Sequence, residues 1–209
     1  MVGKTIGEIT VMDIFEIIEI FALVTGIPYI VLEVLQKNAM WYFGIATGIA
    51  CAYSFGVQHL WSNMGLNIYY VAMSVWGLHQ WRKDSGLLDS AKTDGGAPAV
   101  HLSHLTARIA VCSLLTFIVC TAFMVTVFSR AADPNVWMDA VSTSMCAVAM
   151  FWLGKSIPYH WLIWIVADSI LVVMCAMEQS WWLAALYLAY VLAACVGLVH
   201  WRRKGAYVD

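Results

Sequence analysis

The sequence predicts an all-α polytopic membrane protein, with seven transmembrane helices in a 3+1+3 parallel-repeat arrangement. Three observations carry this. The 209 residues are 62% apolar and 11% charged, whereas an ordinary soluble domain is about 25% charged. Stretches 38–81, 109–129 and 179–201 hold no Asp, Glu, Lys or Arg, and the first is long enough for two spans of about 20 residues. Residues 41–83 and 161–203 are weak copies of each other, with ten of 43 positions identical without gaps. The matches include Trp41/Trp161, Trp61/Trp181, Tyr70/Tyr190, Gly77/Gly197 and Trp81-Arg82/Trp201-Arg202. Apolar composition alone would not align these. An internal repeat in a membrane chain points to a transporter with its site between the copies.

The helices are expected at about 11–36, 39–58, 60–82, 104–129, 134–154, 158–178 and 180–202, with ends uncertain by a few residues. The first carries Asp13, Glu16 and Glu19 toward one end and Glu33 toward the other. Glu33 and Lys37 stand at i, i+4 and are expected to pair. Gly26 and Pro28 permit a kink. Helices 2 and 3 divide the long uncharged stretch. Residues 83–103 are polar and Gly-containing and read as an exposed loop. The offset of 120 places Asp13 on Asp133 and Glu19 on Asp139, so helix 1 falls on helix 5, helix 2 on 6 and helix 3 on 7. Equivalent helices are four apart, so both copies cross the bilayer in the same direction. Residues 1–209 thus form one membrane domain: a first three-helix repeat (11–82), a linker helix (104–129) and a second repeat (134–202).

If the N-terminus lies on one side, the opposite side holds Lys37, Arg82, Lys83, Lys92, Arg108, Lys155, Arg202, Arg203 and Lys204, against Lys4 and Arg130. The positive-inside rule makes the richer side cytoplasmic, with the N-terminus outside and the C-terminus inside. MVGKTIGEIT has no basic region followed by an apolar run and a small-residue site, so no cleavable signal is expected.

The scattered cysteines form no CxxC pair and read as buried apolar residues. His101 and His104 lack further ligands nearby, so neither metal nor cofactor is expected. No HExxH or GxSxG motif is present, so no enzyme is expected. The last span has no Lys for a retinal Schiff base.

Most of the eleven Trp residues fall near predicted helix ends, as an aromatic belt would; Trp76, Trp152 and Trp164 do not. Trp164 is one turn from Trp161, and Asp168 one turn further on the same face. A carboxylate that deep is costly unless it faces a cavity or a partner. Asn67, Tyr70 and Ser74 make one stripe on helix 3; Tyr187 and Tyr190 are the equivalents of the first two on helix 7. Thr143 adds a hydroxyl on helix 5. The candidate substrate-binding residues are therefore Trp164, Asn67, Asp168, Tyr187, Tyr190, Trp161, Tyr70 and Thr143.

LNIYYVAMSVWGLHQWR (66–82), WMDAVSTS (137–144), WLIWIVADSILVV (161–173) and ALYLAYVLAACVGLVHW (185–201) resemble the PnuC family of bacterial vitamin transporters, Trp161-x-x-Trp164 with Asp168 being the most specific piece. The resemblance implies the SWEET-like fold and facilitated diffusion (uniport) of a water-soluble vitamin, usually nicotinamide riboside. It also implies trapping by a cytoplasmic kinase on the way to NAD, a homotrimer, and a bacterial inner-membrane location. Nucleic acid is not an expected partner. Asn67 stands where many relatives have Gln; thiamine, riboflavin or, on architecture alone, a sugar are the alternative substrates.

Overall fold

The computed structural model describes residues 26–57, 61–90, 100–128 and 136–207. The predicted first helix is described from residue 26, as α1 (26–34); Asp13, Glu16 and Glu19 lie outside the described residues. Then come α2 (Ala39–Val57), α3 (Trp61–Ser90), β1 (Val100–Leu102), α4 (Ala107–Phe128), α5 (Val136–Gly154), α6 (His160–Met177), α7 (Trp181–Lys204) and β2 (Gly205–Tyr207). Helices α4 to α7 are each long and apolar enough to cross a bilayer. Apolar side chains such as Val119 and Phe123 on α4 and Leu192 and Val196 on α7 point outward, as on a lipid-facing surface.

Two expectations are corrected. The predicted loop begins as helix: α3 continues to Ser90, held by Gln80 donating to Asp84 Oδ1 (3.0 Å) and Ser85 donating to the Trp81 carbonyl (2.7 Å). The loop ends as a strand. β1 pairs in parallel with β2, Val100 opposite Gly205 and Leu102 opposite Tyr207, and all three β1 residues are buried. The all-α reading thus gains a two-stranded ribbon across one end of the bundle.

α2 packs on α3, α6 on α7, α5 on both α3 and α6, and α4 on α5. The turns after α1 and α5 are alike. Gln36 (φ 49°) and Ser156 (φ 57°) both adopt the left-handed conformation, uncommon for non-glycine residues. Their amides donate to Glu33 and Leu153 carbonyls at 3.0 and 2.9 Å; those of Lys37 and Ile157 donate to Leu32 and Trp152 at 2.8 and 2.9 Å. Each pair is 120 residues apart, and the two turns touch, Gln36 Nε2 donating to Ser156 Oγ at 3.3 Å. The same Gln36 amide grips β1, donating to the His101 carbonyl (2.9 Å) and accepting from the His101 amide (2.8 Å).

Four Trp residues expected in the belt form instead a buried cluster. Trp41, Trp81, Trp161 and Trp201 are each 0% exposed. Trp41 meets Trp81 edge-on at 4.9 Å, Trp161 meets Trp201 edge-on at 5.5 Å, and Trp81 and Trp201 join the pairs at 6.1 Å. Trp81 Nε1 donates to the Leu153 carbonyl on α5 (3.1 Å) and Trp201 Nε1 to the Val34 carbonyl on α1 (3.0 Å), so each copy's last helix is tied to the other copy's first. The rings fit because two glycines give way: a methyl at Gly77 would overlap Trp41, and one at Gly197 would come 2.6 Å from Trp161 Cζ2. Trp181 and Trp182, at the start of α7, are exposed.

This packing predicts that Gly77→Ala and Gly197→Ala each destabilise by about 1–3 kcal/mol through overpacking. Gly65, with nothing within 4 Å of an added Cβ among the described residues, is the control; Gly65→Ala should hold or raise stability. Thermal unfolding in detergent checks this, and a Gly197→Ala protein that melts with the wild type would contradict it.

Candidate functional site

A cavity of about 380 Å³ lies inside the bundle, within the usual range of about 300–1,000 Å³ for small-molecule sites. Its walls come from α1, α2, α3, α5, α6 and α7; no α4 residue lines it. The lining residues include seven pairs of positions 120 apart: Gly26/Cys146, Ile30/Met150, Gly44/Trp164, Gly48/Asp168, Asn67/Tyr187, Tyr70/Tyr190 and Ser74/Ala194. Only Tyr70/Tyr190 is an identical pair. Where the first copy has Gly44 and Gly48, the second supplies a ring and a carboxyl. Positions 120 apart in the sequence thus line the chamber with mostly unlike side chains.

Of the eight sequence-predicted residues, the structure gathers six around this cavity: Asn67, Tyr70, Trp164, Asp168, Tyr187 and Tyr190. Trp161 and Thr143 are not among the lining residues. The Trp161 ring is taken up by the Trp cluster, packing against Gly197, Trp201 and His160. The Thr143 hydroxyl donates to Asp139 Oδ1 at 3.4 Å, one turn back on its own helix.

The structure adds Tyr29, Glu33, Thr47 and Cys146 to the wall. Glu33 is not paired with Lys37. The left-handed turn at Gln36 ends α1 first, and the carboxylate turns inward, 1% exposed, with Oε1 3.6 Å from His160 Nε2. Its pairing was read from an i, i+4 spacing that requires the helix to continue. Gly44 and Gly48, opposite Trp164 and Asp168 in the repeat, were the available signal that α2 leaves room there.

Among the described residues, three buried polar atoms of the lining residues, Glu33 Oε1, Ser74 Oγ and Trp164 Nε1, meet no partner at full hydrogen-bond geometry. Buried polar atoms are nearly always bonded. All three belong to the walls of one chamber, beside four tyrosines. The profile of the nicotinamide mononucleotide transporter family matches residues 16–203. The chain belongs to that family. The fold is similar to the crystal structure of the vitamin B3 transporter PnuC, with a TM-score of 0.65 over 97% of this chain and 93% of that one at 21% identity. No curated protein matches the chain. This nicotinamide mononucleotide transporter family member is therefore a multi-pass membrane protein of a transporter family, and the cavity is its candidate substrate site.

Proposed function

We propose that the protein takes up a water-soluble vitamin, nicotinamide riboside, by facilitated diffusion, and that the cavity is the transport site. The observation that carries this is the chamber lined by repeat-equivalent positions, with an aromatic platform and unsatisfied polar atoms in its walls. Trp164 stacks on the base; Asn67, Asp168 and Ser74 bond the amide and ribose. The two halves, 11–82 and 134–202 joined by 104–129, form a SWEET-like 3+1+3 parallel repeat in a single membrane domain. Support comes from the matched turns at Gln36 and Ser156, the matched Trp–Gly contacts and the paired lining positions. Alternating access follows as one three-helix unit moves against the other. The charge count favours the N-terminus outside and the C-terminus in the cytoplasm of a bacterium, where a kinase would phosphorylate and trap the vitamin for NAD synthesis. The resemblance favours a homotrimer in the inner membrane.

Binding of nicotinamide riboside, thiamine and riboflavin to the purified protein tests the assignment; no binding by any of them would sink it. Trp164→Ala should weaken the bound vitamin about tenfold, or about 1.4 kcal/mol, for loss of the stacked ring. Unchanged affinity in that variant would remove the stacking role alone.

A further inference from the structure

We propose that Glu33 selects the substrate by charge, so that the cavity takes a flat organic cation in preference to its uncharged isostere or its phosphorylated form. This rests on the reading of the cavity as the transport site. Glu33 and Asp168 both line the chamber, and among the described residues no Lys, Arg or His does. They are 1% and 5% exposed, so bulk water would screen neither carboxyl once it ionises.

The base beside Glu33 is His160, fully buried at the start of α6. Its Nδ1 lies 2.7 Å from the Ile157 carbonyl. A carbonyl only accepts, so Nδ1 carries a proton and donates it there. Nε2 then faces Glu33 Oε1 at 3.6 Å, and a single further proton belongs to that pair. With it the pair is neutral; without it the pair carries one negative charge. A positive ring in the chamber favours the charged form, whereas an uncharged ring does not. The other ionisable lining groups are four tyrosines and Cys146, and none of these supplies a positive charge. The faces of Trp164 and the tyrosines further favour a cation. A phosphate would meet two carboxyls and no cationic partner, the reverse of what phosphate sites provide. Nicotinamide riboside has a pyridinium ring, its 1,4-dihydro form is uncharged and close in shape, and the mononucleotide adds a phosphate.

The experiment is calorimetric binding of these three compounds to the full-length protein. The wild type should bind nicotinamide riboside about tenfold or more tighter than either other compound. Glu33→Gln should weaken the riboside about tenfold and leave the dihydro form within about twofold, collapsing the preference. Asp168→Asn is the second variant, in which the preference should also shrink. Equal wild-type binding of riboside and dihydro form would overturn the charge inference while leaving the site reading intact. Equal weakening of both in Glu33→Gln would overturn it as well, making Glu33 a packing residue. Binding of neither compound would remove the inference together with the site reading.

Discussion

Trp201→Ala is expected to cost about 3–5 kcal/mol, the range for emptying a fully buried aromatic site. The ring is 0% exposed and touches Trp81, Trp161 and His160 at centroid distances of 6.1, 5.5 and 4.8 Å. Truncation also leaves the Val34 carbonyl without the 3.0 Å bond that ties α7 to α1. For a chain of this size the melting temperature should fall by about 10 °C. Trp81→Ala should behave alike, because its bond to Leu153 ties α3 to α5 in the same manner. Trp137, 64% exposed, is the control, with a change within about 0.5 kcal/mol. A Trp201→Ala protein that melts within a degree of the wild type would show that the cluster is not a mainstay of the bundle.

The second large effect depends on pH. Residues 100–103 cross one end of the bundle, held by Gln36 at His101 and by the Ser156 carbonyl accepting from the Ser103 amide at 3.1 Å. Burial pushes the His101 imidazole down to about 4, although Asp84, 3.6 Å away, pulls it upward. The undocked segment would take up its proton near the ordinary value of about 6.5. The docked segment is therefore favoured in full above about pH 6.5 and loses that advantage as the pH falls toward about 4, by roughly 3 kcal/mol at most. Hydrogen exchange at residues 100–103 and 205–207, corrected for intrinsic rates, should show protection falling across that interval in the wild type and far less in His101→Gln. Matching pH profiles in the two proteins would contradict it.

Much of this architecture was legible in the sequence because the bilayer enforces it. Uncharged runs mark helices, and matched Trp and Gly mark ring-to-helix contacts that recur 120 residues apart. The six residues that line the cavity were legible because a polar group or a lone ring at mid-span has few places to go other than an interior chamber. What escaped depended on tertiary packing. Trp41, Trp81, Trp161 and Trp201 lie at helix ends in sequence, as belt residues do, and only the notches at Gly77 and Gly197 show that they turn inward. Glu33 reads as a partner of Lys37 because nothing local announces a left-handed Gln36. β1 was read as loop because its partner strand lies about a hundred residues away, and three residues carry no periodicity of their own.

The contact between Gln36 and Ser156 bears on how such a chain arises. Under the proposed parallel repeat, positions that are equivalent and touch lie beside the axis relating the halves, and in a dimer of identical half-length chains such a position would face its own copy. Two glutamines would compete for the single strand crossing there; two serines could not reach it. Fusion of the copies releases that constraint. One side becomes a long amide that clasps the crossing strand, and the other a short hydroxyl that makes room for it. On that proposed symmetry, the clasp is a feature that a symmetric homodimer could not carry.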